Sequence, residues 1–284
     1  MGARASKVMK LLKNWTWRKI IRATLIVFLI IAAIHIIHAL TLDRILQYKE
    51  VSLYSQNLPP EMDGYRVAFI ADTHILSDSR LRGIVDELNS RDIDLLLLGG
   101  DMSVGGHVPE GKFETFTEIA TTDGMFGISG NHDWYPRLFE AYIVNGIMPL
   151  ANSGLHVREN FYLAGVEDLW GGNPCIETAI ADATADDFVL LLSHNPDVAM
   201  QQDTSDVDLI LSGHTHGGQI TFFCVWAPYF TLRRHITEYG QRFRAGWAQS
   251  RDGTPVLVSR GAGEYLPRVF ARPQVVIVTL RHGE

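Results

Sequence analysis

Five apolar runs in this chain each end in a polar cluster, and their order constrains the fold more than any other feature. Residues 66–71 lead into Asp72-Thr73-His74, and residues 94–98 into Gly99-Gly100-Asp101. Residues 125–129 lead into Gly130-Asn131-His132-Asp133, and residues 188–192 into Ser193-His194-Asn195-Pro196. Residues 207–211 lead into Ser212-Gly213-His214-Thr215-His216. Short continuous apolar runs bounded by turn residues read as strands buried on both faces. Stretches with helical periodicity, residues 81–88, 113–120, 134–144 and 176–183, lie between them, so the pattern predicts an α/β fold. Further runs at 161–166, 256–258 and 275–278 supply more strands. In α/β sheets, ligands bind outside the carboxyl ends of the strands, so the five clusters are expected to converge on one site.

The clusters offer two Asp, one Asn and four His as donors, counting Asp72, His74, Asp101, Asn131, His194, His214 and His216. Seven donors exceed what one tetrahedral or octahedral ion takes. Mixed nitrogen and oxygen donors suit borderline divalent metals such as Mn, Fe or Zn over Ca or Mg. A carboxylate shared by two ions makes a two-metal site, which clamps a phosphoryl group and generates a nucleophile at neutral pH. His132 is expected to protonate the leaving oxygen as general acid. Asp133, next in the chain, is expected to hold the His132 ring and raise its pKa. Cys175 and Cys224 are too few for a thiolate metal site or a disulfide framework and read as small buried hydrophobes.

The N-terminal part has a different character. Residues 1–22 hold seven basic side chains and no acid, which leaves 18 of the 25 basic residues to face all 32 acids in the remainder. A nucleic-acid binder carries its positive charge on the folded domain, so that class of partner is excluded. Residues 23–42 are almost wholly apolar and match the roughly 30 Å hydrocarbon layer as a helix. Trp15 and Trp17 fit an interfacial aromatic belt. No small-residue cleavage site follows, so the segment reads as an uncleaved anchor. The positive-inside bias leaves the N-terminus in the cytoplasm and the domain on the other face of the membrane. An alternative lays the basic amphipathic stretch 8–21 flat on the membrane, which permits the cytoplasmic face. The organisation expected is a basic segment 1–22, a membrane helix 23–42, a spacer 43–64 broken by Pro59-Pro60, and a domain 65–284.

The series Asp72-x-His74, Gly100-Asp101, Gly130-Asn131-His132-Asp133, His194 and Gly213-His214-x-His216 resembles the calcineurin-like metallophosphoesterase superfamily over about residues 65–280. The strings at 165–170, 193–197, 212–219, 258–263 and 272–273 resemble its membrane-associated bacterial branch, typified by YkuE and YaeI. The resemblance implies a sandwich of two mixed sheets flanked by helices. It implies a first metal on Asp72, His74 and His216, a second on Asn131, His194 and His214, Asp101 bridging, and His132 as the general acid that also orients phosphate. Asp133 stands where many members carry Glu.

Residues 222–246 are aromatic and basic and form the expected substrate region, as a lid whose apolar side touches lipid and whose arginines meet phosphate. Arg233 and Arg234 lead that set, with Arg260 and His107 as further candidates. The function expected is a membrane-anchored dinuclear-metal phosphoesterase. It hydrolyses a phosphodiester or pyrophosphate bond in a lipid-linked or envelope substrate at a bacterial inner membrane. Relatives cleave UDP-2,3-diacylglucosamine in lipid A biosynthesis, which is one alternative. An inactive binding protein of the same fold is another, opposed by the complete donor set. Nothing in the sequence sets an oligomeric state.

Overall fold

The computed structural model describes residues 2–109, 111–232 and 236–283. It opens with helix α1 (Gly2–Leu40), so the basic segment and the apolar stretch are one helix of 39 residues. The helix is long and apolar enough to cross a membrane. It ends where Thr41 Oγ1 caps the Ile37 carbonyl at 2.7 Å and a 3₁₀ turn, Leu42–Arg44, redirects the chain.

The first sheet takes strands β1 (Gln47–Ser55), β2 (Arg66–Ile70), β3 (Leu95–Gly99), β4 (Met125–Ile128) and β5 (Met148–Pro149). The second takes β6 (Ser153–Arg158), β7 (Phe161–Gly165), β8 (Phe188–Leu192), β9 (Leu209–Ser212), β10 (Gly246–Gln249) and β11 (Pro255–Val258). The last strand, β12 (Gln274–His282), returns to the first sheet, whose order is β1-β12-β2-β3-β4-β5. The second sheet runs β10-β11-β9-β8-β7-β6. Both are mixed: β12 lies antiparallel to β2, β6 to β7 and β10 to β11, and the other pairs are parallel.

Side-chain alternation explains the sandwich. Val67 and Phe69 of β2 face inward with Leu97, Leu163, Leu190 and Leu211 in the core between the sheets. Ala68 and Ile70 face outward, onto α2 (Asp78–Asn89), α3 (Lys112–Phe116) and α4 (Tyr135–Val144), through Ile84, Phe116 and Leu138. The outer face of the second sheet packs α5 (Ile176–Ala179) and α6 (Val198–Gln201) through Ile176 and Val198 against Tyr162 and Ile210. A further short helix, α7 (Pro228–Leu232), follows β9. Strands covered on both faces have no polar side to show, which is why they read as continuous apolar runs.

One boundary is corrected. Residues 43–64 are no spacer, because β1 pairs with β12 at all nine of its positions and Leu58 and Met62 are buried in the inter-sheet core. The strand escaped notice because it is an edge: its side chains alternate between exposed and half-buried and include Gln47, Lys49, Glu50 and Ser52.

Candidate metal centre

The parallel strands β2, β3, β4, β8 and β9 end at one site. His74 Nε2 lies 3.4 Å from Asp101 Oδ2. His194 Nε2 approaches the same oxygen at 3.3 Å. His216 Nε2 stands 3.5 Å from Asp72 Oδ1 and 3.3 Å from His74 Nε2. His214 Nδ1 meets Asn131 Oδ1 at 2.8 Å. Donor atoms of Asp72, His74, Asp101 and His216 lie within 4.8 Å of one another, as do those of Asp101, His194 and His214. Asp101 belongs to both groups. All seven expected donors are therefore brought together.

Backbone carbonyls set the tautomers. Nδ1–H of His74 donates to Ser103 O at 3.1 Å, Nδ1–H of His194 to Gly99 O at 2.8 Å, and Nε2–H of His214 to Ile236 O at 2.8 Å. Each bond turns the opposite ring nitrogen towards the centre, the arrangement metal-ligating histidines adopt. The buried His194 Nε2 has no hydrogen-bond partner. Without shared protons these nitrogens and carboxylate oxygens would repel one another, and a pair of cations would remove that repulsion. The residues fit two divalent metals.

The backbone is shaped for this. Asp72, His74, Asp101, His214 and His216 all have positive φ, between 33° and 69°. Side chains there cost on the order of 1–3 kcal/mol each and persist only where the surroundings enforce them. Two glycines in the motifs serve close approach. A Cβ on Gly130 would lie 2.4 Å from Asp101 Oδ1, and one on Gly213 would lie 2.5 Å from Asp72 Oδ2.

Electrostatics follow from burial. Burial pushes the Asp72 carboxyl up to about 7, with His194 opposing the shift and Asp101 adding to it. Burial acts against ionising Asp101 too, but His194 and His74 outweigh it and hold Asp101 below the usual carboxylate range. His194 is raised despite its burial, by Asp101 and Asp72. Burial lowers His74 and His216 and takes His214 down to about 3, so these three rings stay neutral and free to coordinate.

Comparison with known proteins agrees with this geometry. Residues 65–218 match the calcineurin-like phosphoesterase family model. The chain belongs to the calcineurin-like phosphoesterases. An uncharacterized metallophosphoesterase of Campylobacter jejuni is 27% identical over 95% of this chain and 73% of its own length. The uncharacterized metallophosphoesterase YkuE of Bacillus subtilis is 28% identical over 82% of this chain and 84% of its own. A protein of Danio rerio named a transmembrane protein with metallophosphoesterase domain is 27% identical, over 82% of this chain and 57% of that one.

In this phosphoesterase His132 stands exposed at the rim, its ring edge-on to His74 with centroids 5.3 Å apart. Its backbone N–H donates to Asp101 Oδ1 at 2.8 Å. The role expected for Asp133 is corrected. Its carboxylate accepts from Ser103 N, Ser103 Oγ, Gly130 N and Met102 N and so ties the loop after β3 to the loop after β4. Among the described residues it makes no bond to the His132 ring.

A cavity of about 650 Å³ opens over the donors. Its walls include Trp170, whose ring stands edge-on to His214 with centroids 4.6 Å apart, and Ile75, Ile220, Tyr229 and Tyr265. Two expected substrate residues lie elsewhere. His107 is not among the cavity walls, its backbone paired with Val104, and the Arg260 stem packs where Gly217 leaves room for it. Arg233 and Arg234 lie outside the described residues. Arg244 and Arg242 hold backbone carbonyls of Cys224, Gly217 and Gln249.

One contributor was not foreseen. Lys112 is buried beneath the site, where its Nζ donates to Thr73 Oγ1 and Met102 O at 2.6 Å each and to His74 O at 3.4 Å. Burial pushes its ammonium down to about 7. A lysine opening a helix normally reads as solvated, and only its three acceptors reveal otherwise.

Proposed function

We propose that this chain is a membrane-anchored hydrolase that uses two divalent cations to cleave a phosphodiester or pyrophosphate bond in a lipid-linked or envelope substrate. The observation that carries the reading is Asp101, whose carboxylate lies between two separate groups of imidazoles. Asp72, His74 and His216 would hold one cation and Asn131, His194 and His214 the other, with Asp101 shared. Manganese suits the donor set, as do iron and zinc. When bound, such a pair neutralises charge on the phosphoryl group and supplies a nucleophile at neutral pH. His132, at the rim and clear of the donor clusters, gives a proton to the leaving oxygen. The apolar and aromatic walls take the part of the substrate beyond the phosphate, and they exclude water from it.

α1 supports membrane anchoring, and the Danio rerio relative is named a transmembrane protein. Seven basic residues before the apolar stretch favour a domain outside the cytoplasm. The test is hydrolysis of bis(p-nitrophenyl) phosphate by the full chain in detergent, with metal content measured in parallel. Turnover should vanish on chelation and return with Mn. Undiminished turnover in fully metal-stripped protein defeats the reading. Reporter fusions at the C-terminus decide which face the domain occupies.

A further inference from the structure

The end of α1 packs on the domain along one stripe. From Thr16 to Leu40 the only described side chains that are half-buried are Ile31, Ala32, His35, His38 and Ala39, the rest being exposed. Their spacing of i, i+1, i+4, i+7 and i+8 marks a single helical face. That face meets an aromatic cluster. The His35 ring lies 5.2 Å from Phe222, 4.6 Å from Phe223 and 4.9 Å from Phe270, and His38 stacks on Phe270 at 3.9 Å. The junction just beyond is pinned. Asp43, buried, accepts from Phe270 N at 2.7 Å and pairs with His38 Nδ1 at 2.8 Å, and Arg272 Nε donates to Ile45 O at 2.7 Å.

This contact sets a depth. At 1.5 Å rise per residue, His35 lies roughly 7–8 Å before the end of α1, inside its apolar stretch. A bilayer that covers the exposed side chains of α1, Phe28 for one at 64% exposure, therefore reaches the aromatic residues that touch His35. The same loop continues outward with Val225 at 76% exposure and Trp226 at 44%. Its two ends, Ile220 and Tyr229, line the cavity over the metal donors. One short segment thus runs from the apolar helix to the mouth of the site. An exposed apolar and aromatic loop continuous with a membrane-spanning face is suited to the bilayer interface, where Trp and Phe partition.

We propose that the loop from Ile220 to Tyr229 seats in the interfacial layer of the bilayer that α1 crosses, so that the cavity opens at the level of the lipid headgroups. This rests on the reading of α1 as the membrane span. The occupant is the lipid surface itself. The pinned junction holds the domain at one height, so a phosphate ester on a headgroup enters the cavity without its lipid leaving the membrane.

The test uses the full chain in nanodiscs of phosphatidylcholine and phosphatidylglycerol. Single cysteines at Phe28→Cys, Val225→Cys and Val144→Cys, each with Cys175→Ser and Cys224→Ser, carry an environment-sensitive fluorophore. Brominated lipids serve as the quencher. Val144 ends α4, next to β5 at the sheet edge opposite β1, and is the control. The expected result is quenching and blue-shifted emission at 225 comparable to those at 28, with neither at 144. Trp226→Cys reads the same surface if the first variant does not fold, and circular dichroism reports that each variant is folded. Quenching at 28 without quenching at 225 or 226 overturns the seat and leaves the anchor. Absence of quenching at 28 overturns both.

Discussion

Ser103 holds Asp133 twice: its Oγ donates to Asp133 Oδ1 at 2.6 Å and its N–H donates to the same oxygen at 2.8 Å. Gly130 N–H reaches the other oxygen at 2.9 Å. The acid that follows His132 is thus a brace between the two loops that carry Asp101 and Asn131. Asp133→Ala leaves several donors unpaired and should cost on the order of 2–4 kcal/mol in denaturant unfolding. Asp133→Asn, once folded, should keep most of the turnover. A loss of roughly 10²–10⁴, as for a missing general acid, would return Asp133 to the role of holding the His132 ring.

Asp101 and His132 should separate cleanly. Asp101→Asn removes charge from the carboxylate common to both donor groups, so bound metal should fall from two equivalents towards none and turnover with it. His132→Ala should keep its metal and lose roughly 10²–10⁴ in rate, the usual worth of a general acid. Elemental analysis beside diester kinetics decides between them, and equal metal loss in both variants would place His132 among the ligands.

Gly130→Ala tests close approach. The added methyl would meet Asp101 Oδ1 at 2.4 Å and Asp101 N at 2.5 Å, so the shared carboxylate must move. Metal affinity measured by competition with a chelator should drop at least as far as turnover does. Wild-type affinity in this variant would show that the loop has slack.

Lys112 predicts a pH dependence of stability. Its folded pKa of about 7 lies below the ordinary 10.5, so between those values the unfolded chain binds the extra proton. Stability of the metal-free protein should therefore rise as pH increases from 7 towards 10.5. The increment is at most about 4–5 kcal/mol at 1.36 kcal/mol per unit. Below pH 7 the burial penalty is present in full. Chemical denaturation at pH 7 and pH 9.5, with Lys112→Met as reference, measures it; equal slopes in the two proteins would contradict the assignment.

The interior of the fold was legible and its margins were not. Each of the eight interior strands, such as β3 with Leu95–Gly99, is covered on both faces and so announces itself as an apolar run. The four strands without that signal, β1, β5, β6 and β10, are the four sheet edges, where half the side chains meet water and Lys49 or His156 is tolerated. The metal donors were legible for a related reason: each sits where an apolar run stops. Lys112, Trp170 and Tyr265 gave no such sign, because their significance comes from partners far away in the chain.

The sequence by itself determined the strand ends, the seven donors placed on them and the family, since periodicity and local spacing are properties of consecutive residues. Only the tertiary structure decided that Asp133 braces loops while His132 stands exposed at the rim, and that an aromatic loop joins α1 to the cavity. Those facts are distances between segments, set by how two sheets pack. No local pattern encodes the direction in which a side chain leaves a loop once its neighbours close around it.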